Sequence, residues 1–357
     1  MILQLAPLEG ITTYIYRNAY AQHFGQIDRY YTPFLSLHKE KEFNHKERQE
    51  ILPENNKGLL VIPQVLTNSS EDFLQAACKL KELGYDEVNI NMGCPSGTVT
   101  AKAKGAGMLE DPMLLDKFLY KIFEKTPVKI SIKTRLGMDK VEEWEDLLKI
   151  YNKYTLTELI VHARVRADFY QNAPNWKAFA LAMECSENPL CYNGDIFTMA
   201  NYQKLTEVFP KLQSVMLGRG LLANPFLAGQ ICDWEYNQQN NQQYASQKHH
   251  LNREMNGESG NDVESEKSGG WEVERFRAFH DEIYAGYQEI MSGDRNVLFK
   301  MKELWTYMIF LWPDASKHAK KLRKLNSCSE YEIYVNNMFR TVDRLQLRVK
   351  EEHNEPI

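Results

Sequence analysis

Cys94 stands immediately beyond a short run in which Val88, Ile90 and Met92 alternate with Asn89 and Asn91. Alternation of this kind reads as a strand, and Gly93-Cys94-Pro95 breaks it, leaving a thiol just past the strand's carboxyl end. A glycine-rich, lysine-containing loop follows up to Met108, and Asp111-Pro112 supplies an N-cap and first-turn proline for the next helix. A cysteine on a long loop at the carboxyl end of a strand stands where α/β enzymes place reactive groups. The plain alternative is a small buried hydrophobe.

Other reactive side chains share this position at strand ends. Gln64, Asn91, Lys133, Arg135, His162, Arg164, Asn193, Asp195 and Arg219 each lie at or just beyond the end of an apolar run. Strand-like runs fall at 2–6, 26–31, 59–65, 88–92, 128–134, 159–162, 190–195 (a strand and turn) and 214–219. Helical periodicity lies between most of them, as at 68–83, 112–125, 141–154, 175–185 and 198–208. Residues 39–57 read as loop, with room for a single helical turn. Eight such units predict an α/β fold, a closed (β/α)8 TIM barrel, in which all strand ends share one face. The residue after the first strand, Pro7-Leu8-Glu9-Gly10, lacks the Gly-x-Gly-x-x-Gly of an open dinucleotide-binding sheet. Gly194 and Gly218, after the seventh and eighth strands and beside Arg219, stand where barrels often hold a phosphate. A cofactor ending in a phosphate, such as FMN, fits there. Lys133 is the natural cation for the pyrimidine edge of a flavin.

The 357 residues allow one large domain and a smaller one, here divided as 1–235, 236–270 and 271–357. Residues 236–270 are rich in Asn, Gln, Gly and Ser, carry few apolar side chains, and read as a flexible insertion or linker. From Trp271 helical periodicity returns in four segments near 271–291, 295–311, 314–326 and 329–350, a small all-α bundle. The bundle has a basic run, Lys317 to Lys324, and a cluster of Arg295, Lys300 and Lys302 with Trp305 and Tyr307. A basic helix is most often a solvated face, but beside an enzyme barrel it could grip a phosphate backbone. The net charge of −5, the 43% apolar share and six scattered cysteines without a CxxC pair describe an ordinary protein of a reducing cytoplasm. The N-terminus lacks the basic region of a secretory signal, and no apolar run has the length of a membrane span.

Taken together, the motifs resemble those of the tRNA-dihydrouridine synthase family. The match rests on Ala6-Pro7-Leu8-Glu9-Gly10, Pro63-Gln64, Asn89-Ile90-Asn91-Met92-Gly93-Cys94-Pro95 and Lys133-Thr134-Arg135-Leu136-Gly137. It continues through His162-Ala163-Arg164 with Tyr170, Asn193-Gly194-Asp195 and Gly218-Arg219-Gly220. Departures are Leu8, where the family usually has Met, and Ala163 and Val165 in a commonly His-Gly-Arg-Thr segment. A family glutamate near the end of strand two is also replaced, by Tyr31-Thr32-Pro33-Phe34.

The resemblance implies an FMN-dependent enzyme that reduces the C5–C6 double bond of uridine in the D-loop of tRNA, with NADPH as donor. Cys94 would be the acid at C5, and Asn91 would help hold the uracil. Pro7, Leu8, Glu9, Gln64, Lys133 and His162 would lie against the flavin. Asn193, Gly194, Asp195, Gly218 and Arg219 would bind its phosphate. Arg135, Arg164, Tyr170, Arg295, Lys300 and Lys302 would face the tRNA; no metal is implied, and a monomer is the default. Two rivals remain open at this point: a barrel flavoenzyme acting on a free pyrimidine or small enone, as dihydroorotate dehydrogenases do, and a tRNA-binding protein with an inert barrel. The basic bundle speaks against the first, and intact Cys94, Lys133 and His162 against the second.

Overall fold

The structure is a computed structural model and describes residues 1–251, 269–342 and 344–346. Its sheet contains β1 (Ile2–Leu5), β2 (Arg29–Tyr31), β3 (Val61–Ile62), β4 (Gln64–Val65) and β5 (Glu87–Met92). It continues with β6 (Lys129–Arg135), β7 (Leu159–His162), β8 (Leu190–Asn193) and β9 (Ser214–Leu217). All pairings are parallel, in the order β3-β2-β1-β9-β8-β7-β6-β5-β4. β3 and β4 are consecutive halves of one strand, split at Pro63, which has no N–H to give. The carbonyl of Pro63 still accepts from the Asn89 amide at 2.8 Å. The two ends of the strand order therefore meet, and the eight expected units form a closed (β/α)8 barrel.

The helices around the barrel are α1 (Tyr14–His23), α2 (His45–Ile51), α3 (Ser70–Glu82), α4 (Gly97–Thr100), α5 (Pro112–Lys125), α6 (Glu143–Tyr151), α7 (Trp176–Cys185), α8 (Met199–Val208) and α9 (Arg219–Ala223). Their starts follow local chemistry. The side chains of Ser69, Asp111, Asn175 and Thr198 each accept a backbone N–H of the first turn of α3, α5, α7 and α8. α2 occupies a stretch expected as loop with no more than a helical turn. Its signal was a capping box in which Asn44 and Glu47 bind each other's backbone amides. The helix holds Glu50 against the buried Arg17 of α1 at 2.9 Å.

α10 (Leu227–Leu251) runs through the boundary expected at 235/236, so the first part of the polar stretch is helical. The rest of that stretch, 252–268, lies outside the described residues. α11 (Gly269–Ile290), α12 (Asp294–Met308), α13 (Ala315–Lys324) and α14 (Cys328–Thr341) correspond to the four expected bundle helices. The bundle is packed onto the barrel. Phe279 of α11 meets Tyr16 and Phe24 edge-on at 5.6 and 5.0 Å. A Cβ on Gly286 would sit 2.8 Å from Ile15, so α11 approaches α1 this closely only with glycine there.

Candidate active site

Strand register brings the chemistry together. Gln64 lies opposite Asn89, Asn91 opposite Lys133, Arg135 opposite His162, and His162 opposite Asn193. Two adjoining cavities open at this end of the barrel and share Pro7, Leu8, Lys133, His162 and Tyr170. One continues to Glu9, Gln64, Asn91, Cys94 and Arg135. The other continues to Asn193, Gly194, Asp195, Gly218 and Arg219. The second holds the residues expected at a phosphate; the first holds Asn91 and Cys94, expected at the reacting base, with Glu9 and Gln64, expected at the flavin, and Arg135, expected at the tRNA. A wider groove between α3 and α5, lined by Met113 and Leu114, holds none of the strand-end residues.

Cys94 is partly buried, and burial raises its pKa above the ordinary thiol value of 9.0, so the sulfur keeps its proton at neutral pH. Its loop is held from below. Asn91 Oδ1 accepts from the amides of Gly93 and Cys94 at 3.2 and 3.0 Å. Asn91 Nδ2 donates to Gln64 Oε1 at 2.8 Å.

Lys133 Nζ donates to Asn193 Oδ1 at 2.8 Å, and Asn193 Nδ2 donates to the Met216 carbonyl at 2.9 Å. Burial, aided by the charge of Arg135, brings the Lys133 pKa down to about 8. Burial likewise holds His162 well below its ordinary value, with Arg135, Lys133, Arg164 and Arg219 adding to the effect. His162 is therefore neutral at pH 7. Arg164 Nη1 lies 3.2 Å from its Nε2 and can only donate, which makes Nε2 the acceptor and places the ring proton on Nδ1.

Arg135 and Arg164 were expected to face RNA, and both are instead fully buried. Arg135 donates to the carbonyls of Gly93, Val165 and Phe169 at 2.9, 2.9 and 2.8 Å, tying the Cys94 loop to the loop after β7. Arg164 forms a salt bridge with Asp195, which also accepts from Arg219 at 2.7 Å. A guanidinium aimed at inward-facing carbonyls and a carboxylate is a clamp between loops; spacing in the sequence did not reveal these partners. Asp195 likewise serves to fix two arginines. Tyr170 is 38% exposed and covers the cavities, with Arg219 and Arg135 over its ring at 4.6 and 5.4 Å.

Lys300 and Lys302 are both engaged within the protein. Lys300 Nζ donates to the Gly10 carbonyl at 2.7 Å, pinning the bundle to the loop after β1. Lys302 Nζ donates to the carbonyls of Arg323 and Leu325 at 3.1 and 2.6 Å, satisfying the C-terminal end of α13. Arg295 is exposed on the bundle and does not join the barrel mouth. Along α13, Lys317, Lys320, Lys321, Arg323 and Lys324 are exposed, and none has an acidic partner among the described residues.

Residues not singled out from the sequence include Phe34 beside Cys94 and Phe197 beneath Arg219, at 5.4 Å. Phe34 carried a usable signal, since it lies just past the end of β2.

The residues that match the motifs run from Ala6 to Gly220, and comparison with known families gives a match that contains this span. The profile described as "Dihydrouridine synthase (Dus)" matches residues 4–275. The chain belongs to that family. It is similar to the tRNA-dihydrouridine(16) synthase of Pseudomonas syringae pv. tomato, 28% identical over 65% of this chain and 74% of that one. A probable tRNA-dihydrouridine synthase of Staphylococcus aureus is 27% identical, covering 62% and 69%. The probable tRNA-dihydrouridine synthase 2 of Bacillus subtilis is 26% identical, also covering 62% and 69%. No helix of the described residues is long and apolar enough to cross a membrane.

Proposed function

We propose that the protein reduces the C5–C6 double bond of uridine in the D-loop of tRNA, with FMN as its resident cofactor and NADPH as the reductant. The observation that carries this reading is the grouping on one barrel face of a protonated thiol, a depressed lysine and a neutral histidine, in a chain of the dihydrouridine synthase family.

The donor set fits FMN. Lys133, Arg135 and Arg219 line the two cavities, and Arg164 stands behind them on Asp195, the carboxylate it shares with Arg219. That buried excess of positive charge suits an anion. Asn193, Gly194, Gly218 and Arg219 would hold the phosphate. Pro7, Leu8, Gln64, Lys133 and His162 would lie along the ring. When bound, the flavin supplies hydride for C6.

The protein's own part is placement and protonation. Cys94 Sγ, protonated because burial disfavours the thiolate, delivers its proton to C5. Asn91 offers an N–H to the base, Arg135 holds the Cys94 loop against the loop after β7, and Tyr170 screens the mouth from water. The base must leave its stack to reach this depth. The exposed cations of α13, with Arg295, would attract the phosphate backbone. The protein is read as a cytoplasmic monomer, with residues 1–235 catalytic and 271–357 gripping RNA.

The purified protein should be yellow and should form dihydrouridine in an unmodified tRNA transcript when given NADPH, as read by mass spectrometry. A yellow protein that reduces orotate or a small enone but not tRNA would instead support the small-molecule reading. A colourless protein that binds tRNA would support the inert barrel.

A further inference from the structure

The segment after β1 walls the candidate site. Pro7 and Leu8 line both cavities, and Glu9 lines the one that holds Cys94. Behind them the chain closes a compact turn through Thr12. The Leu8 amide donates to Thr12 Oγ1 at 2.8 Å, and the Ile11 and Thr12 amides donate to the Leu8 carbonyl at 3.0 and 3.1 Å. The apex, Glu9-Gly10, takes no part in these three bonds. Gly10 is buried there with a φ of +72°, in the left-handed region that favours glycine.

The apex is held from the bundle instead. Lys300 Nζ of α12 donates to the Gly10 carbonyl at 2.7 Å and to Glu303, one turn further on, at 3.0 Å. A Cβ on Gly10 would lie 3.0 Å from that nitrogen, so glycine also gives the ammonium its approach. A second bundle side chain grips the end of the turn: the Tyr287 hydroxyl of α11 and Thr13 Oγ1 share a hydrogen bond of 3.1 Å, both side chains being buried. α12 also packs against α9, which opens at Arg219 on the second cavity. One bundle helix therefore abuts both parts of the site. A largely buried ammonium is unfavourable unless its N–H groups find acceptors, and removing it would take the donor from a buried carbonyl.

We propose that Lys300 is a positioning residue for the cofactor: with Tyr287 it holds the Pro7–Gly10 wall closed, so that retention of the flavin depends on the bundle being docked on the barrel. The proposal rests on the reading that the two cavities receive FMN. Lys300 acts through the Gly10 carbonyl and touches neither cofactor nor base. If the wall opens, apparent flavin affinity falls with the fraction of molecules that keep it closed.

The experiment compares three variants of the full chain. Lys300→Met keeps most of the stem and removes the donor, and Tyr287→Phe keeps the ring and removes the hydroxyl. Arg277→Met is the control, because Arg277 Nη2 donates to Asn336 Oδ1 at 2.6 Å, between α11 and α14 within the bundle. Hydrogen exchange of residues 8–12 is followed in flavin-free protein, where the Leu8, Ile11 and Thr12 amides report the closed turn. Fluorescence titration gives the FMN Kd. Lys300→Met should speed that exchange about tenfold or more and raise Kd about fivefold or more. Tyr287→Phe should move both in the same direction by less, and Arg277→Met should move neither.

Exchange or Kd unchanged in Lys300→Met overturns the proposal. So does an Arg277→Met variant that changes both as much, since the effect would then be general loosening of the bundle. A flavin Kd that stays put while the salt dependence of tRNA binding flattens would make Lys300 a phosphate contact, and overturns it too. A native protein that binds no FMN would contradict the proposed function instead, and exchange alone would then decide whether the bundle holds the wall.

Discussion

Replacing Arg135 by methionine tests whether this side chain is a loop clamp or an RNA contact. Methionine keeps much of the stem and removes the guanidinium, leaving the carbonyls of Gly93, Val165 and Phe169 without their donor. Hydrogen bonds from a charged group contribute about 1.5–3 kcal/mol each. Two effects reduce the sum. The guanidinium is itself costly to bury, as its pKa, pushed down to about 10, shows, and water from the adjoining cavity can rehydrate some of the carbonyls. A net loss of about 2–4 kcal/mol follows. At roughly 2–4 °C per kcal/mol for a domain of this size, Tm should fall by about 4–16 °C. Limited proteolysis should cut first in the loop after β7, which loses its tether to the Cys94 loop. Because Arg135 does not face outward, the salt dependence of tRNA binding should keep its slope. An unchanged Tm with a slope lowered by about 0.7–0.9, the signature of one lost phosphate contact, would refute this reasoning.

Cys94→Ala should keep its flavin and lose most turnover on tRNA, measured as dihydrouridine formed per minute. In the native protein that rate should hold through neutral pH and fall only as the pH rises past the raised thiol pKa, above 9.0. Lys133 titrates near 8 when folded and near 10.5 when unfolded, so below pH 8 both states are charged and the full burial penalty is felt. Folding stability should therefore rise from pH 8 to 10.5, and Lys133→Met should remove that rise while weakening flavin binding, both read by thermal melts and fluorescence titration. Changing Lys317, Lys320, Lys321, Arg323 and Lys324 to Gln should weaken tRNA affinity and flatten its salt dependence. If neither changes in a filter-binding series, α13 is only a solvated face.

The barrel was legible because each β/α unit repeats the same two signals, a short apolar run and a capped helix with period 3.6. The four bundle helices were legible for the same reason. α2 was missed because its seven residues are largely polar, and its identity lay in the Asn44–Glu47 box. The strand-end rule located Gln64, Asn91, Cys94, Lys133, His162 and Asn193 on one face, since a parallel barrel leaves them no other. It could not say which way each side chain is engaged. Arg135 and Arg164 look like outward cations in the sequence, and only the folded loops supply the carbonyls and the Asp195 carboxylate that hold them inside. The engagements of Lys300 and Lys302 were hidden for the same reason, because their carbonyl partners lie on other elements, at Gly10, Arg323 and Leu325.

The most direct test of the central claim is the dihydrouridine content of each D-loop position in tRNA from cells lacking this gene. The account predicts loss at one or a few positions, restored by the native gene and not by its Cys94→Ala form. Unchanged dihydrouridine at every position, with the purified protein still yellow, would contradict it.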